Sequence, residues 1–253
     1  MINRRNHVKR VLITGSTDGV GRSTAEALIE DGHQLVVHAR NAARLAAVQH
    51  LLDHGAEAIV GDLSVLNEVH DLVEQAKSLG PFDAVIHNAG VLRGAVLPVN
   101  VTAPYLMTAG IERSGRLIYL SSSMHRGGRP DLSGVDWAGK RATHSYSDSK
   151  LFVTTLMTAL ARIRPEVIAH AVDPGWVPTR MGGPGASDSL ALAHVTQAWL
   201  ATTSDPEALV SGRYWHHQRT EKTHPAVHDD GFQDELLSSL SEQTGVALTR
   251  TAT

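Results

Sequence analysis

The sequence predicts a doubly wound α/β domain, and three observations carry the prediction. Short apolar runs of strand length alternate with stretches of helical period along most of the 253 residues. The runs are continuous and rich in β-branched residues, as strands covered on both faces require. The first of them ends in a glycine-rich turn that opens a helix, "VLITGSTDGVGRSTAEALIEDG" from Val11 to Gly32.

In chain order, the run "RVLIT" is the first strand. Ala25, Leu28 and Ile29 then fall at helical spacing, and Gly32 supplies a C-terminal stop. "QLVVHA" is the second strand, followed by the stripe Leu45, Val48, Leu51 and Leu52, closed by Gly55. "EAIVGD" is the third, and Val69, Leu72, Val73 and Ala76 make the next helical face before Gly80-Pro81. "DAVIHNA", "RLIYLS", "VIAHAVD" and "GRYWHH" complete the set. Neither an internal period nor a long linker divides the chain, so one domain spanning 1–253 is expected. Two loops are richer than the rest, near 124–144 and 180–195. Both follow C-terminal ends of strands, the edge where open α/β sheets bind ligands.

Composition narrows the partners. A formal charge of -3, with 42% hydrophobic and 19% charged residues, gives no basic surface for nucleic acid and no polybasic run for a membrane. With no cysteine, disulfides, thiol catalysis and cysteine metal sites are excluded together. The opening "MINRRNHVKRVLITG" is charged and carries no apolar h-region, so a cytoplasmic protein is expected. The 15 histidines show no metal-ligand spacing and are read as mostly surface residues, with no metal site; His125, just beyond Ser122, is the one within reach of a substrate.

The stretch Gly15, Ser16, Thr17, Asp18, Gly19, Val20, Gly21 has two readings. It is either a plain chain reversal or a seat for a pyrophosphate, where Gly19 and Gly21 admit close approach of the main chain and the helix N-terminus faces the anion. Its place between a strand and a helix favours the second reading.

Its spacing, T-G-x-x-x-G-x-G, resembles the cofactor loop of the short-chain dehydrogenase/reductase family, and further motifs follow in that family's order. Asp62-Leu63 ends the third strand, Asn88-Ala89-Gly90 the fourth, and Ser121-Ser122 the fifth. "YSDSK" from Tyr146 to Lys150 fits YxxxK, and "DPGWVPT" from Asp173 to Thr179 fits the segment after the sixth strand. The resemblance implies a single-domain Rossmann fold with a seven-stranded parallel sheet flanked by helices. It also implies an oxidoreductase that interconverts a carbonyl and an alcohol by hydride transfer.

Tyr146 and Lys150 lie four apart on a long helix and so share a face. An ammonium beside a phenol favours the phenolate, which would pull the tyrosine pKa down from about 10. The resemblance makes Tyr146 the general acid/base and Lys150 the group that tunes it and holds the nicotinamide ribose. By the same resemblance Ser122 polarises the substrate oxygen, although Ser121 and Ser123 compete for that position because neighbours at a strand end face opposite ways. Asn100 matches the asparagine that holds a water behind the lysine, with a helix N-cap as the rival role.

For the cofactor, Ala39 stands where an NAD-preferring enzyme keeps an acid, and Arg40 follows it; a guanidinium binds a 2′-phosphate that a carboxylate would repel. NADP(H) is therefore preferred, with NAD(H) possible. Asp62, Leu63, Asn88, Ala89 and Gly90 would frame adenine and ribose, while Pro174, Gly175, Val177 and Thr179 would border the nicotinamide. Trp137 and Trp176 are expected to shield their loops. The long Ser-to-Tyr loop resembles the retinol dehydrogenase and protochlorophyllide reductase branch, which keeps reduction of an activated C=C bond as an alternative. A non-catalytic NADP-sensing protein is the alternative from another class. The short fourth helix leaves a homodimer or a monomer, acting on a small-molecule carbonyl or alcohol.

Overall fold

In the computed structural model, which describes residues 7–111 and 114–248, strands and helices alternate as the hydrophobic pattern requires. The order is β1 (Arg10–Ile13), α1 (Gly19–Glu30), β2 (Gln34–Ala39), α2 (Gln49–Asp53), β3 (Glu57–Val60), α3 (Leu66–Leu79), β4 (Ala84–His87) and α4 (Ala103–Gly110). It continues with β5 (Arg116–Leu120), α5 (Tyr146–Ile163), β6 (Ile168–Asp173), α6 (Leu190–Ala193), α7 (Val195–Thr202), β7 (Arg213–His216), β8 (Arg219–Thr220) and α8 (Asp230–Thr244).

The sheet order is β3-β2-β1-β4-β5-β6-β7-β8, so the chain reverses its direction of winding between β3 and β4. Successive strand residues feed opposite cores. Leu12, Val36 and Val85 pack under α3, α4 and α5, whereas Val11, Ile13, Leu35 and Ile86 pack under α1, α2 and α7.

Seven parallel strands were expected and all seven form, but an eighth runs antiparallel at the edge. His217 and Gln218 take left-handed conformations (φ 47° and 58°), which close a two-residue hairpin between β7 and β8. The expected strand "GRYWHH" therefore ends at His216, and His217 belongs to the turn.

Helix α5 is buried nearly all round. Ser145 caps it through a reciprocal pair with Asp148. One side rests on the sheet; the other is covered by α8 and by the segment carrying Leu132 and Trp137, with Phe152 between Trp137 and Phe232. Trp137 donates to Ser239 Oγ at 2.7 Å and shields its loop as expected. This packing fixes the helix that presents Tyr146 and Lys150. Among the described residues, no helix is long and apolar enough to cross a membrane.

Candidate active site

The site forms where β1, β4, β5 and β6 end together. Gly15 and Gly19 need left-handed backbone (φ 65° and 50°), and Asp18 caps α1 by accepting from Gly19 N at 2.9 Å. Arg22 N–H bonds Asp18 O at 3.2 Å, which leaves Val20 and Gly21 as the N–H groups this first turn can offer a ligand.

The glycines answer to internal packing as well as to a ligand. A side chain at Gly21 would collide with Asn88, whose amide donates to Thr14 O at 2.8 Å and to Gly15 O at 3.3 Å. Gly21 is thus required by the NAG segment, where a pyrophosphate alone had been expected to require it. Gly19 is the one turned to the cleft, with Thr179 Cγ2 3.1 Å from where its Cβ would stand.

Two loop residues are held from below by His38, a contact the sequence did not signal. His38 Nδ1 accepts from Gly15 N at 2.9 Å and its Nε2 donates to Gly61 O at 2.9 Å, while Ser16 Oγ accepts from His38 N at 2.8 Å. Burial lowers the His38 pKa and keeps it in that neutral form. Ser16 therefore serves the loop's own fold, and Thr17 is buried beside it. His33, His38, His87, His125 and His170 are buried, while the other histidines keep some exposure, as expected of a mostly surface population.

At the end of β2, Arg40 is largely exposed and reaches to 4.0 Å from Asp62 Oδ2. Arg44 lies nearby with its guanidinium 3.3 Å from Asp18 Oδ2, and Arg180 approaches the same carboxylate at 3.8 Å. Arg44 was missed because it lies beyond the strand end. Asp62 is engaged by Ser64, and Leu63 is buried in the core. Ala89 N donates to Thr14 Oγ1 at 3.0 Å, so Asn88 and Ala89 buttress the glycine loop. Gly90 lies instead toward the far end, where a Cβ would stand 3.4 Å from Asn100 Oδ1 and 3.5 Å from Lys150 Nζ.

The three serines separate cleanly. Ser121 turns into the core and bonds Thr154 Oγ1 at 2.7 Å. Ser123 contributes its N–H to Asp173 Oδ2 at 2.7 Å. Ser122 caps the turn that follows β5, its Oγ accepting from Met124 N at 3.3 Å, and the same hydroxyl lies near enough to the Tyr146 phenol to favour the phenolate. His125 is wholly buried and donates from Nδ1 to Ser122 O at 2.7 Å, so it positions the serine from behind and does not reach into the cleft.

Asn100 is not an N-cap. It sits inside the π-helical turn Pro98–Thr102 that leads into α4, and such a turn re-aims a side chain. Its amide brackets Val91, accepting from N at 2.8 Å and donating to O at 3.0 Å, and it donates to Ser149 Oγ at 3.0 Å.

Lys150 is buried, donates to Leu120 O at 2.6 Å, and lies with Nζ 5.4 Å from the centre of the Tyr146 ring. Burial pulls its pKa down to about 8, opposed by the Asp173 carboxylate. The phenol departs from expectation. Burial and then Asp173 push Tyr146 up to about 12, and the Ser122 hydroxyl offsets only part of this. The ammonium gives its hydrogen bond to the Leu120 carbonyl and does not lower the phenol as its spacing suggested.

Asp173 is the group sequence reasoning missed. Its Oδ1 accepts from Gly175 N at 2.9 Å, and its Oδ2 accepts from Ser123 N and, at 3.1 Å, from Tyr214 OH. One buried carboxylate thus ties β5, β6 and β7 beneath the site. Beyond it Pro174 and Gly175 (φ 85°) make the turn, Val177 is buried, and Thr179 Oγ1 accepts from Gly182 N at 3.2 Å. Asp188 returns from the following loop to accept from Trp176 N at 2.6 Å. Trp176 is 57% exposed and touches its loop at Gly182, whose carbonyl accepts from Nε1 at 3.0 Å, so it shields less of the loop than expected.

Residues 9–189 match the family described as short chain dehydrogenase. An uncharacterized oxidoreductase of Emericella nidulans is 39% identical over 94% of this chain and 98% of its own length. A short-chain dehydrogenase of Penicillium rubens is 31% identical, again over 94% of this chain and 98% of its own. Among solved structures, a blue fluorescent protein from a metagenomic library, in complex with NADPH, has a TM-score of 0.67 at 23% identity, covering 84% of this chain and 97% of that one. With the glycine loop, the NAG segment, the serine and the Tyr-Lys pair gathered at one edge of a doubly wound sheet, the chain belongs to the short chain dehydrogenase family.

Proposed function

We propose that this oxidoreductase reduces a carbonyl compound, or oxidises the matching alcohol, with NADP(H) as cofactor. The observation that carries the reading is the buried Lys150, its Nζ 5.4 Å from the centre of the Tyr146 ring, with the Ser122 hydroxyl beside that phenol. Ser122 and Tyr146 bring two hydroxyl donors to one place, which is what a carbonyl oxygen gaining negative charge needs.

The residues present fit a dinucleotide phosphate. The first turn of α1 offers the N–H groups of Val20 and Gly21, Arg40 and Arg44 supply guanidinium charge at the end of β2, and Lys150 supplies an ammonium at the other end. When bound, the cofactor supplies the hydride; the chain supplies the rest. Ser122 holds the substrate oxygen. Tyr146, a phenol pushed up to about 12, carries its proton at neutral pH and delivers it to that oxygen in the reductive direction. Asn100 fixes the loop at Val91 and, through Ser149, the first turn of α5. Pro174, Gly175, Val177 and Thr179 wall the far side of the cleft. The metagenomic relative's complex with NADPH is consistent with this choice of cofactor.

The test is to follow the loss of NADPH absorbance and of NADH absorbance against a panel of ketones and aldehydes. Turnover with NADPH well above that with NADH is expected. A protein that binds neither nucleotide would overturn the reading.

A further inference from the structure

The exposed apolar side chains of the molecule are not scattered. Of nine large ones on the described surface, five (Leu92, Met124, Trp176, Met181 and Leu192) lie on the segments that follow β4, β5 and β6 at the edge carrying the site. Met124 comes two residues after Ser122, and Met181 Cε lies 4.0 Å from where a Gly90 Cβ would stand, so this rim surrounds the reacting groups. Trp176 is held outward by its N–H bond to Asp188 and by donation from Nε1 to Gly182 O at 3.0 Å. Exposed apolar side chains gathered at the edge that carries a cleft mark a surface that something apolar covers.

A cavity of about 250 Å³ opens beside Tyr146, walled by Leu92, Val96 and Leu97 on one side and by residues 142–145 on the other. Its charged groups are Arg93, Arg141 and Asp136. Asp136 is already answered: its Oδ2 accepts from Arg141 N at 2.7 Å and lies 4.0 Å from the Arg141 guanidinium. His144 is used by Thr143 and by the Asp131 carbonyl. Arg93 has no hydrogen bond or ion pair among the described residues, which leaves one unmatched positive charge in the lining of this cavity, beside Leu92, Val96 and Leu97.

We propose that the substrate is a carbonyl compound with a ring-sized apolar body and one anionic group. The body lies against the rim, the anion is held by Arg93, and the carbonyl falls between Ser122 and Tyr146. This assignment rests on the carbonyl-reducing reading of the same site and adds the chemistry of what enters it. A planar guanidinium pairs with a carboxylate through two parallel hydrogen bonds, so a carboxylate is the favoured anion.

The experiment compares three probes as NADPH-dependent substrates: benzoylformate, its ethyl ester, and pyruvate. In the wild-type protein kcat/KM for benzoylformate should exceed that for the ester and that for pyruvate, each by about fivefold or more. Arg93→Gln should collapse the acid-over-ester preference toward one, through KM, and Arg93→Lys should restore most of it. Equal rates with acid and ester, or a preference that survives Arg93→Gln, would overturn the anion site. Pyruvate matching benzoylformate would overturn the apolar body.

The same question is asked without turnover by titrating benzoylformate into the Tyr146→Phe protein and following tryptophan fluorescence, to which Trp176 contributes. Saturable binding that Arg93→Gln abolishes supports the proposal even where no probe is reduced, and the fault then lies with the oxidoreductase reading. No saturable binding overturns the proposal itself.

Discussion

The two ends of the cleft treat charge in opposite ways. At the end of β2, Arg40 and Arg44 carry their charge at the surface, where water screens it and keeping it costs the fold little. At the end of β6, Lys150 and Asp173 are buried, and each leans on groups from other elements: Leu120 O for the ammonium, and Ser123, Gly175 and Tyr214 for the carboxylate. A surface guanidinium tunes which ligand is preferred. A buried ion is expensive to desolvate, and here Asp173 sets the protonation of its neighbours, raising both Lys150 and Tyr146.

Removing the buried cation tests the contrast with the largest effect. Lys150→Met should lower the NADPH-dependent rate by roughly 10² to 10⁴ while leaving the folded protein at least as stable at pH 7. The folded Lys150 pKa of about 8 lies below its ordinary value of 10.5. Between those two values the unfolded chain holds a proton that the folded chain has released, so wild-type stability rises with pH across that window. Urea unfolding at several pH values should find the rise in the wild-type protein and lose it in the variant.

Asp173→Asn should act less strongly and in a diagnostic direction. The carboxylate raises both Lys150 and Tyr146, so its loss lowers both. The rate should fall about tenfold, and the alkaline limb of the reductive pH profile should move to lower pH. A lower rate with an unmoved limb would reduce Asp173 to a brace for β5, β6 and β7.

The exposed end should change nucleotide affinity and leave the chemistry alone. Arg40→Ala with Arg44→Ala should weaken NADPH by about tenfold and NADH hardly at all, with the difference shrinking at high salt. Fluorescence titrations of the reduced nucleotides read this directly. An equal loss for both nucleotides would mean the arginines act through the fold of the β2 edge.

Which parts of this were legible in the sequence follows the same division. The parallel strands were readable because doubly covered strands are unbroken apolar runs, and the α1 turn because its glycines stand between a strand and a helix. The β7-β8 hairpin was not, because His217 and Gln218 adopt left-handed backbone without the usual Asn-Gly signal. Tyr146, Lys150 and Ser122 were found by motif. Their electrostatics were not, because the deciding groups are distant in sequence: Asp173 meets Tyr214, 41 residues on, and Ser123, 50 residues back. Spacing shows that Lys150 shares a face with Tyr146, yet it cannot show that the ammonium is spent on the Leu120 carbonyl. His38 escaped for the same reason, since nothing local marks a strand histidine as the acceptor for Gly15 N.

The most direct test of the account is a single measurement: the single-turnover rate of NADPH oxidation by the Tyr146→Phe protein with an accepted carbonyl substrate, with nucleotide binding checked in the same samples. The account predicts NADPH affinity close to wild type and a rate at least about 10² lower, because the phenol carries the proton and the cofactor seat lies elsewhere. A variant that binds NADPH and turns over at the wild-type rate would contradict it.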